Sequence, residues 1–129
     1  MSKFIILVTG QVYGPASGWH AYQFTKTALE TGHDIHCVFF FRDGVTQSNA
    51  LVSPASDETD LVRLWQSLAE QYQLSLVNCV SAAWRRGVIS LEDAQENGIS
   101  NSNLAAGFIM GGLGELVAGI EQSTRMVRF

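Results

Sequence analysis

Two uninterrupted apolar runs constrain the fold of this chain more than any other feature. The first covers residues 3–9 and ends at Thr9-Gly10, and the second covers Ile35–Phe41. Neither run alternates between apolar and polar residues, so neither predicted strand has a face turned to solvent. Strands that are apolar on both faces are typical of parallel sheets covered by helices. The two runs therefore predict an α/β fold.

Helical patterns separate these strands and continue along the chain. A helix is predicted over about 18–31 and ends at Gly32. A second helix is predicted over about 58–72, with Ser56 or Asp57 as its cap. The later predicted elements are a strand at 74–78, a short helix at 80–86, a short helical turn at 91–94, a helix-prone region from Asn103 that breaks at its glycines, a helix at 113–122 and a strand at 126–129.

Residues 42–57 are predicted to form a polar loop between the second strand and the second helix. This loop is long for a compact domain. Long ordered loops are often functional, so it is a candidate to cover or open a site.

The composition excludes several classes of protein. The chain has 129 residues, which suits one domain with one core. It is 47% hydrophobic and 16% charged, as expected of a globular protein. The net charge is −4 and no block of Lys and Arg stands out, so tight binding to nucleic acid is disfavoured.

The cysteine count and the apolar segments indicate a compartment. The chain has two cysteines, Cys37 and Cys79, which is too few for a disulfide framework. They also lack the C-x-x-C spacing of a dithiol redox site or a zinc knuckle. The apolar start is not followed by a convincing cleavage site, and the apolar stretch Leu104–Leu113 is far too short to span a membrane. We therefore expect a cytoplasmic protein with reduced thiols.

Cys79 is the candidate nucleophile. It follows the apolar run Leu74–Val77 and precedes the predicted helix Val80–Arg86. A thiol at a strand-to-helix junction lies beside free backbone N–H groups and the positive end of the helix dipole, which favour the thiolate. Ligands of open α/β sheets also bind at the carboxyl ends of the strands. The alternative is that Cys79 packs as a small buried hydrophobe.

Cys37 lies inside the second predicted strand, where burial is expected. The chain then has one usable thiol and no internal resolving thiol. A persulfide formed on Cys79 would have to pass its sulfur to another protein.

Other residue patterns carry weaker signals. His33 lies in a turn and His36 in a strand, where solvated and core or interface positions are the simplest interpretations. His20 lies near the start of the first helix and could approach Cys79 as a proton donor. At the rise of an α-helix, Arg85 and Arg86 lie roughly 10 Å beyond Cys79. Their charges are either solvated or used to dock a partner protein.

The glycine-rich segments do not complete a nucleotide-binding motif. Val117 follows Gly112-x-Gly114 where a dinucleotide fingerprint needs Gly or Ala, and Gly10–Gly14 lacks the Gly-Lys-Ser/Thr ending of a P-loop. A tight structural turn is the simpler interpretation of Gly10–Gly14. The chain also has no Gly-x-Ser-x-Gly elbow, which disfavours a serine hydrolase.

Taken together, several segments resemble the DsrE family of small sulfurtransferase subunits over essentially the whole chain. The segments that carry this resemblance are Val8–Gly10 with Tyr13-Gly14, Val38–Val45, Ser53–Glu58, Leu61–Arg63, Cys79–Ala83 with Arg85–Val88, Ser102–Leu104, Gly107-Phe108, Gly112–Gly114 and Arg125–Phe129.

The resemblance implies a fold, a chemistry and partners. The fold would be a single-domain, three-layer, DsrE-like and flavodoxin-related structure over 1–129. It would have a mostly parallel sheet of about five strands and helices on both faces. Cys79 would carry sulfane sulfur as a persulfide, without metal or organic cofactor, in a relay toward 2-thiolation of the wobble uridine of transfer RNA. A TusA-like donor and a TusE-like acceptor would flank it, in a heterohexamer with TusB-like and TusC-like subunits, two copies of each.

Three alternatives stay open. A DsrE-type subunit of dissimilatory sulfur oxidation would have the same fold and a matching cysteine. A non-catalytic assembly subunit would only pack Cys79. A flavin- or nucleotide-binding module would use the sheet edge as flavodoxins do.

Overall fold

The computed structural model describes residues 1–129, and strands and helices alternate along the chain. The strands are β1 (Lys3–Val8), β2 (Asp34–Phe40), β3 (Leu76–Cys79), β4 (Phe108–Gly111) and β5 (Arg125–Arg128). The helices are α1 (Ser17–Glu30), α2 (Leu61–Tyr72), α3 (Val80–Arg85), α4 (Leu91–Glu96) and α5 (Leu113–Gln122), with a 3-10 helix at Arg42–Ser48.

All five strands are parallel and form one sheet in the order β4-β3-β2-β1-β5. The chain steps outward from β1 to β4 and then crosses the sheet to place β5 on the other side of β1. This topology confirms the predicted α/β fold with a parallel sheet of about five strands.

Helices cover both faces of the sheet. Phe4 and Ile5 are consecutive in β1, so their side chains point to opposite faces. On one face Phe24 of α1 packs against Phe4, with ring centroids 5.3 Å apart. On the other face Gly119 of α5 lies so close to Ile5 that a side chain at position 119 would collide with it. The three-layer arrangement is therefore confirmed.

The core lies mainly between the sheet and the helices α1 and α2. Ile6, Val8, Val38 and Phe40 on this face are fully buried, and so are Ile5 and Phe39 on the α5 face, as the two apolar runs predicted. Trp65 of α2 is also fully buried and packs edge-on against Phe40 and Tyr22, with centroids 5.4 and 5.5 Å away. Burial of these large side chains is the main source of stability for the fold.

The second helix begins later than predicted. It starts at Leu61 rather than near residue 58, and Asp60 caps it by accepting a hydrogen bond from the Arg63 N–H at 3.2 Å. Glu58 instead closes a turn, because its carboxylate accepts the Ala55 N–H at 2.8 Å. The predicted cap at Ser56 or Asp57 was therefore wrong.

Two further boundaries differ from the sequence predictions. The predicted loop 42–57 is not all loop, since its first part forms the 3-10 helix Arg42–Ser48. The region from Asn103, predicted to be helix-prone with a break, contains the strand β4. Pairing with β3 over four residues holds β4 in place, a tertiary interaction that local sequence does not reveal.

None of the helices combines the length and the apolar character that crossing a membrane requires.

Candidate functional site

Cys79 is the last residue of β3 and the N-cap residue of α3. The predicted strand-to-helix junction is therefore present, at the carboxyl edge of the sheet. The backbone of Cys79 is extended, with φ −65° and ψ 115°, and the Cys79 side chain does not cap the helix. The residue is only 2% exposed, so the thiol is buried.

Ser81 is the polar neighbour of the Cys79 sulfur. Its Oγ lies 3.7 Å from Cys79 Sγ, and either atom can donate the hydrogen bond. Ser81 sits on the first turn of α3 and is exposed, in contrast to the buried thiol. The contact is thus partly buried and lies at the surface of the protein.

The adjacent strand carries no side chain beside Cys79. The register partner of Cys79 on β4 is Gly111. A Cβ at position 111 would collide with the Glu115 carboxylate and with Val77. Paired residues of parallel strands point to the same face, so Glu115 fills the space next to the Cys79 position. The first turn of α5 is thereby placed beside the candidate site.

A buried polar network fixes the 3-10 helix under the carboxyl edge of the sheet. The Trp65 indole N–H donates to Gln47 Oε1 at 2.8 Å, and Gln47 Nε2 donates to the Gly10 carbonyl at 2.9 Å. Asn78, the residue before Cys79, donates through Nδ2 to Ser48 Oγ. Gln47, Ser48 and Asn78 are all fully buried. This half of the predicted loop is therefore a rigid support and not a mobile cover.

An ion pair joins the same 3-10 helix to α3. Arg86 Nε donates to Asp43 Oδ1 at 2.8 Å, and Arg86 also donates to the Ala82 carbonyl at 3.1 Å. The Arg86 guanidinium holds the pKa of Asp43 below its usual value. Of the two arginines noted in the sequence, Arg86 thus has a structural role, while Arg85 is exposed and forms no salt bridge.

Cys37 is buried in the middle of β2, as predicted. It is 5% exposed, and burial together with the negative charge of Glu115 raises the pKa of its thiol to about 11. At neutral pH Cys37 is therefore protonated, and a thiol in that state is a poor nucleophile.

The histidines do not gather at Cys79. His20 is exposed on α1 and forms no hydrogen bond with the thiol. His33 is half-buried and its Nδ1 accepts the Ser2 N–H at 3.0 Å, so the expected solvated role was wrong. His36 lies against Gly119 of α5, in a half-buried position that fits the core or interface interpretation.

The loop after β1 is held by the 3-10 helix. The Val12 N–H donates to Thr46 Oγ1 at 3.0 Å, and the Gly10 carbonyl accepts from Gln47. At the tip, the Tyr13 hydroxyl donates to the Glu58 carboxylate, which raises the pKa of Tyr13 and lowers that of Glu58. These contacts fit a structural turn. The chain also has no cluster of three or more side chains able to hold a metal ion.

Sequence reasoning located Cys79 and the burial of Cys37, but it missed the supporting groups. Gln47 and Ser48 look like loop residues, and nothing local signals that they are buried. Glu115 is separated from Cys79 by more than thirty residues and reaches the site through strand pairing. Only Ser81 had a usable signal, because a residue two positions after an N-cap lies on the same first turn.

The whole chain matches known proteins. The model of the DsrE/DsrF-like family covers residues 2–129. "Sulfurtransferase TusD" of Proteus mirabilis is 47% identical over 126 residues, covering 98% of this chain and 97% of that protein. "Sulfurtransferase TusD homolog" of Vibrio parahaemolyticus is 44% identical over 126 residues, covering 98% and 96%.

The crystal structure of the ychN protein from E. coli has the same fold. It superposes with a TM-score of 0.77 over 100% of both chains, at 21% sequence identity. The family match over nearly every residue and the relatives above 40% identity agree with this architecture. The chain belongs to the DsrE/DsrF-like family.

Proposed function

We propose that this chain is a sulfurtransferase subunit that carries sulfane sulfur as a persulfide on Cys79. Full-length relatives named sulfurtransferase TusD, at 43–47% identity, support sulfur transfer as the activity. The observation that carries the assignment to Cys79 is its position at the carboxyl end of β3, at the start of α3.

The chemistry needs one thiolate on this chain, a partner protein that donates the sulfur and a second partner protein that accepts it. In loading, the Cys79 thiolate attacks the terminal sulfur of a donor persulfide, and the donor thiolate leaves. In unloading, an acceptor thiolate attacks the sulfur now attached to Cys79. Because Cys37 is buried and protonated, it does not compete, and no second thiol of this chain resolves the persulfide.

Burial of Cys79 is compatible with relay between proteins. The thiol is 2% exposed, but a persulfide extends the reactive sulfur by one S–S bond, about 2 Å beyond Sγ. Ser81, which contacts Sγ, is exposed, so a terminal sulfur that extends toward Ser81 lies closer to the surface than the empty thiol. Burial of the empty thiol in turn protects it from oxidation.

The relay that we propose is the one that acts on transfer RNA. Its donor is a TusA-like carrier, its acceptor is a TusE-like protein, and its product is 2-thiolated wobble uridine. The chain assembles in the cytoplasm with TusB-like and TusC-like subunits as a heterohexamer, two copies of each. Names of the relatives favour this relay over a DsrE-type role in sulfur oxidation.

Exposed apolar side chains support assembly with sister subunits. Helix α5 alone covers the second face of the sheet, and Leu113, Val117 and Ile120 on it are 49, 54 and 43% exposed. Ile109 of β4 and Met126 of β5 add to the exposed apolar surface of this side. We call these five residues the α5 patch. Apolar patches of this kind are typical of protein interfaces.

One observation favours a second candidate. The low exposure of Cys79 is also what a packed cysteine in a non-catalytic assembly subunit would show. One variant, Cys79→Ala, distinguishes the two functions by whether sulfur is delivered. In a reconstituted system with sister subunits, donor and acceptor, Cys79→Ala assembles normally in both cases.

The relay function predicts that Cys79→Ala abolishes delivery of sulfur to the acceptor, while Cys37→Ala retains it. Delivery is read by mass spectrometry of the acceptor, and assembly by the mass of the complex in solution. Normal delivery by the assembled Cys79→Ala complex would show that the subunit is structural.

A further inference from the structure

The Ser81 hydroxyl is the side-chain group that hydrogen-bonds to the Cys79 sulfur. The Oγ–Sγ distance is 3.7 Å, and the Ser81 hydroxyl forms no other hydrogen bond. Since both residues belong to the start of α3, the backbone holds their side chains together. Ser81 is exposed while Cys79 is buried, so the hydroxyl lies at the surface next to a sulfur that water hardly reaches.

The direction of this hydrogen bond depends on the state of the sulfur. With a neutral thiol, either group can donate. A thiolate has no proton, so in that state the Ser81 O–H must be the donor. Hydrogen bonds to charged acceptors are markedly stronger than those between neutral groups, and the partly buried position limits competition from water.

We propose that Ser81 is a catalytic residue that donates a hydrogen bond to Cys79 Sγ as sulfur is released. The inference rests on the proposed function of Cys79. During unloading, an acceptor thiolate attacks the terminal sulfur of the Cys79 persulfide and a new S–S bond forms. The bond between Sγ and the terminal sulfur breaks, and its electron pair stays on Sγ as a thiolate. The acceptor leaves as a persulfide, so the step needs neither oxidant nor reductant.

Ser81 affects the two half-reactions differently. Negative charge on Sγ grows during unloading, so a donor at Sγ stabilises that transition state relative to the loaded protein. During loading the thiolate is the starting state and its charge decreases, so the same hydrogen bond gives no such advantage. Ser81 therefore favours release of sulfur to the acceptor.

Three proteins test this role in a Cys37→Ser background, where Cys79 is the only thiol. They carry Ser81, Ser81→Ala and Ser81→Thr. Each is loaded with inorganic polysulfide and freed of excess reagent, and cysteine is added as acceptor. Loss of one sulfur atom is followed by mass spectrometry of the intact protein. We expect Ser81→Ala to unload about tenfold more slowly, as for loss of one hydrogen bond to a charged group, and Ser81→Thr to restore the rate.

The controls separate this inference from the function on which it rests. Loading rates should change much less than unloading rates. Equal unloading by the proteins with Ser81 and with Ser81→Ala would show that the hydroxyl has no role in release. Slower unloading by Ser81→Thr than by Ser81→Ala would show a steric role only. Either result would overturn the inference. If the protein with Ser81 does not load at all, the proposed function fails first.

In that event a second measurement decides the role of Ser81. The same three proteins are modified with methyl methanethiosulfonate, which leaves a methyl disulfide on Cys79. Attack of cysteine on the outer sulfur again expels Sγ as thiolate. Slower release from Ser81→Ala, rescued by Ser81→Thr, would support the donor role, and equal rates would overturn it.

Discussion

At the scale of single residues, the two cysteines differ because they occupy different positions on their strands. Cys37 lies in the interior of β2, where burial and the Glu115 charge raise the pKa of its thiol to about 11. Cys79 ends β3 and starts α3, next to an exposed hydroxyl. The first position suits packing, while the second gives a thiol a polar partner and a short route to the surface.

The raised pKa of Cys37 predicts how stability depends on pH. The folded protein keeps a proton that the unfolded chain releases near its ordinary value of 9.0, so the stabilising contribution is complete below about pH 9. It is lost as the pH rises through about 11. Between about pH 8 and 11 the free energy of unfolding of the natural protein should fall by about 1–2 kcal/mol more than that of Cys37→Ala.

Urea denaturation at several pH values measures this difference. The two proteins differ only at position 37, so the comparison isolates Cys37. Parallel stability curves for the two proteins would show that the Cys37 thiol is not held protonated by the fold.

Sequence alone indicated part of this residue-level pattern. The placement of Cys79 followed from an apolar run that gives way to a helix, and the burial of Cys37 followed from its apolar neighbours. The sequence did not indicate that Glu115 lies near Cys79, because this proximity depends on the register between β3 and β4. A register is a tertiary property, and one residue of slip would turn the paired side chains to the other face.

At the scale of elements, the 3-10 helix Arg42–Ser48 determines the rigidity of the candidate site. Its polar residues Gln47 and Ser48 are fully buried and bind Trp65 and Asn78. Sequence patterns predicted a loop here because Gln and Ser in a polar segment show no apolar periodicity. Hydrogen bonds to distant residues compensate for their burial, and local patterns do not report such bonds.

Removing the Gln47 amide should destabilise the fold strongly. Gln47→Ala leaves the buried Trp65 N–H without a partner and opens a cavity, so we expect a loss of about 2–4 kcal/mol in the free energy of unfolding. Gln66→Ala is the matched control, since its amide binds the Ala106 carbonyl in an exposed position.

The control should lose no more than about 0.5 kcal/mol. Both values are measured by urea denaturation followed by tryptophan fluorescence. A Gln47→Ala protein as stable as Gln66→Ala would contradict the supporting role of the network.

The ion pair between Asp43 and Arg86 adds a pH-dependent link between elements. Because Arg86 lowers the pKa of Asp43, the contribution of this carboxylate is present above its ordinary value of 3.8 and is lost as the pH falls below it. We expect the stability of the natural protein to decline more steeply below about pH 4 than that of Asp43→Asn. Thermal unfolding across this range measures the effect, and identical acid profiles would contradict it.

At the scale of the whole molecule, the order of the strands explains why one face is thinly covered. The connections that hold α1, α2 and the pair α3 and α4 join strands that step in one direction, so right-handed crossovers place these connections on one face. The return from β4 to β5 places α5 alone on the other face. The alternation of strands and helices predicted this architecture, but β4 was missed because its glycine-rich surroundings hide a strand of four residues.

The α5 patch leads to a prediction about assembly. Val117→Glu places a charge in the middle of the patch, where an interface would have to desolvate it. The variant should fold normally and lose its association with the TusB-like and TusC-like subunits. Gln71→Glu, at an exposed position of α2, adds the same charge outside the α5 patch, and this variant should assemble normally. Assembly of Val117→Glu at the natural mass would show that partners bind another surface.

The central claim is that Cys79 carries the sulfur, and mapping of labelled sulfur tests it most directly. The protein, assembled with its sister subunits, receives labelled sulfur from a cysteine desulfurase through a TusA-like carrier. Peptide mass spectrometry then locates the label. The account predicts one added sulfur on Cys79, none on Cys37 and none in Cys79→Ser. An unlabelled Cys79 in the assembled protein, or label on Cys37, would contradict it.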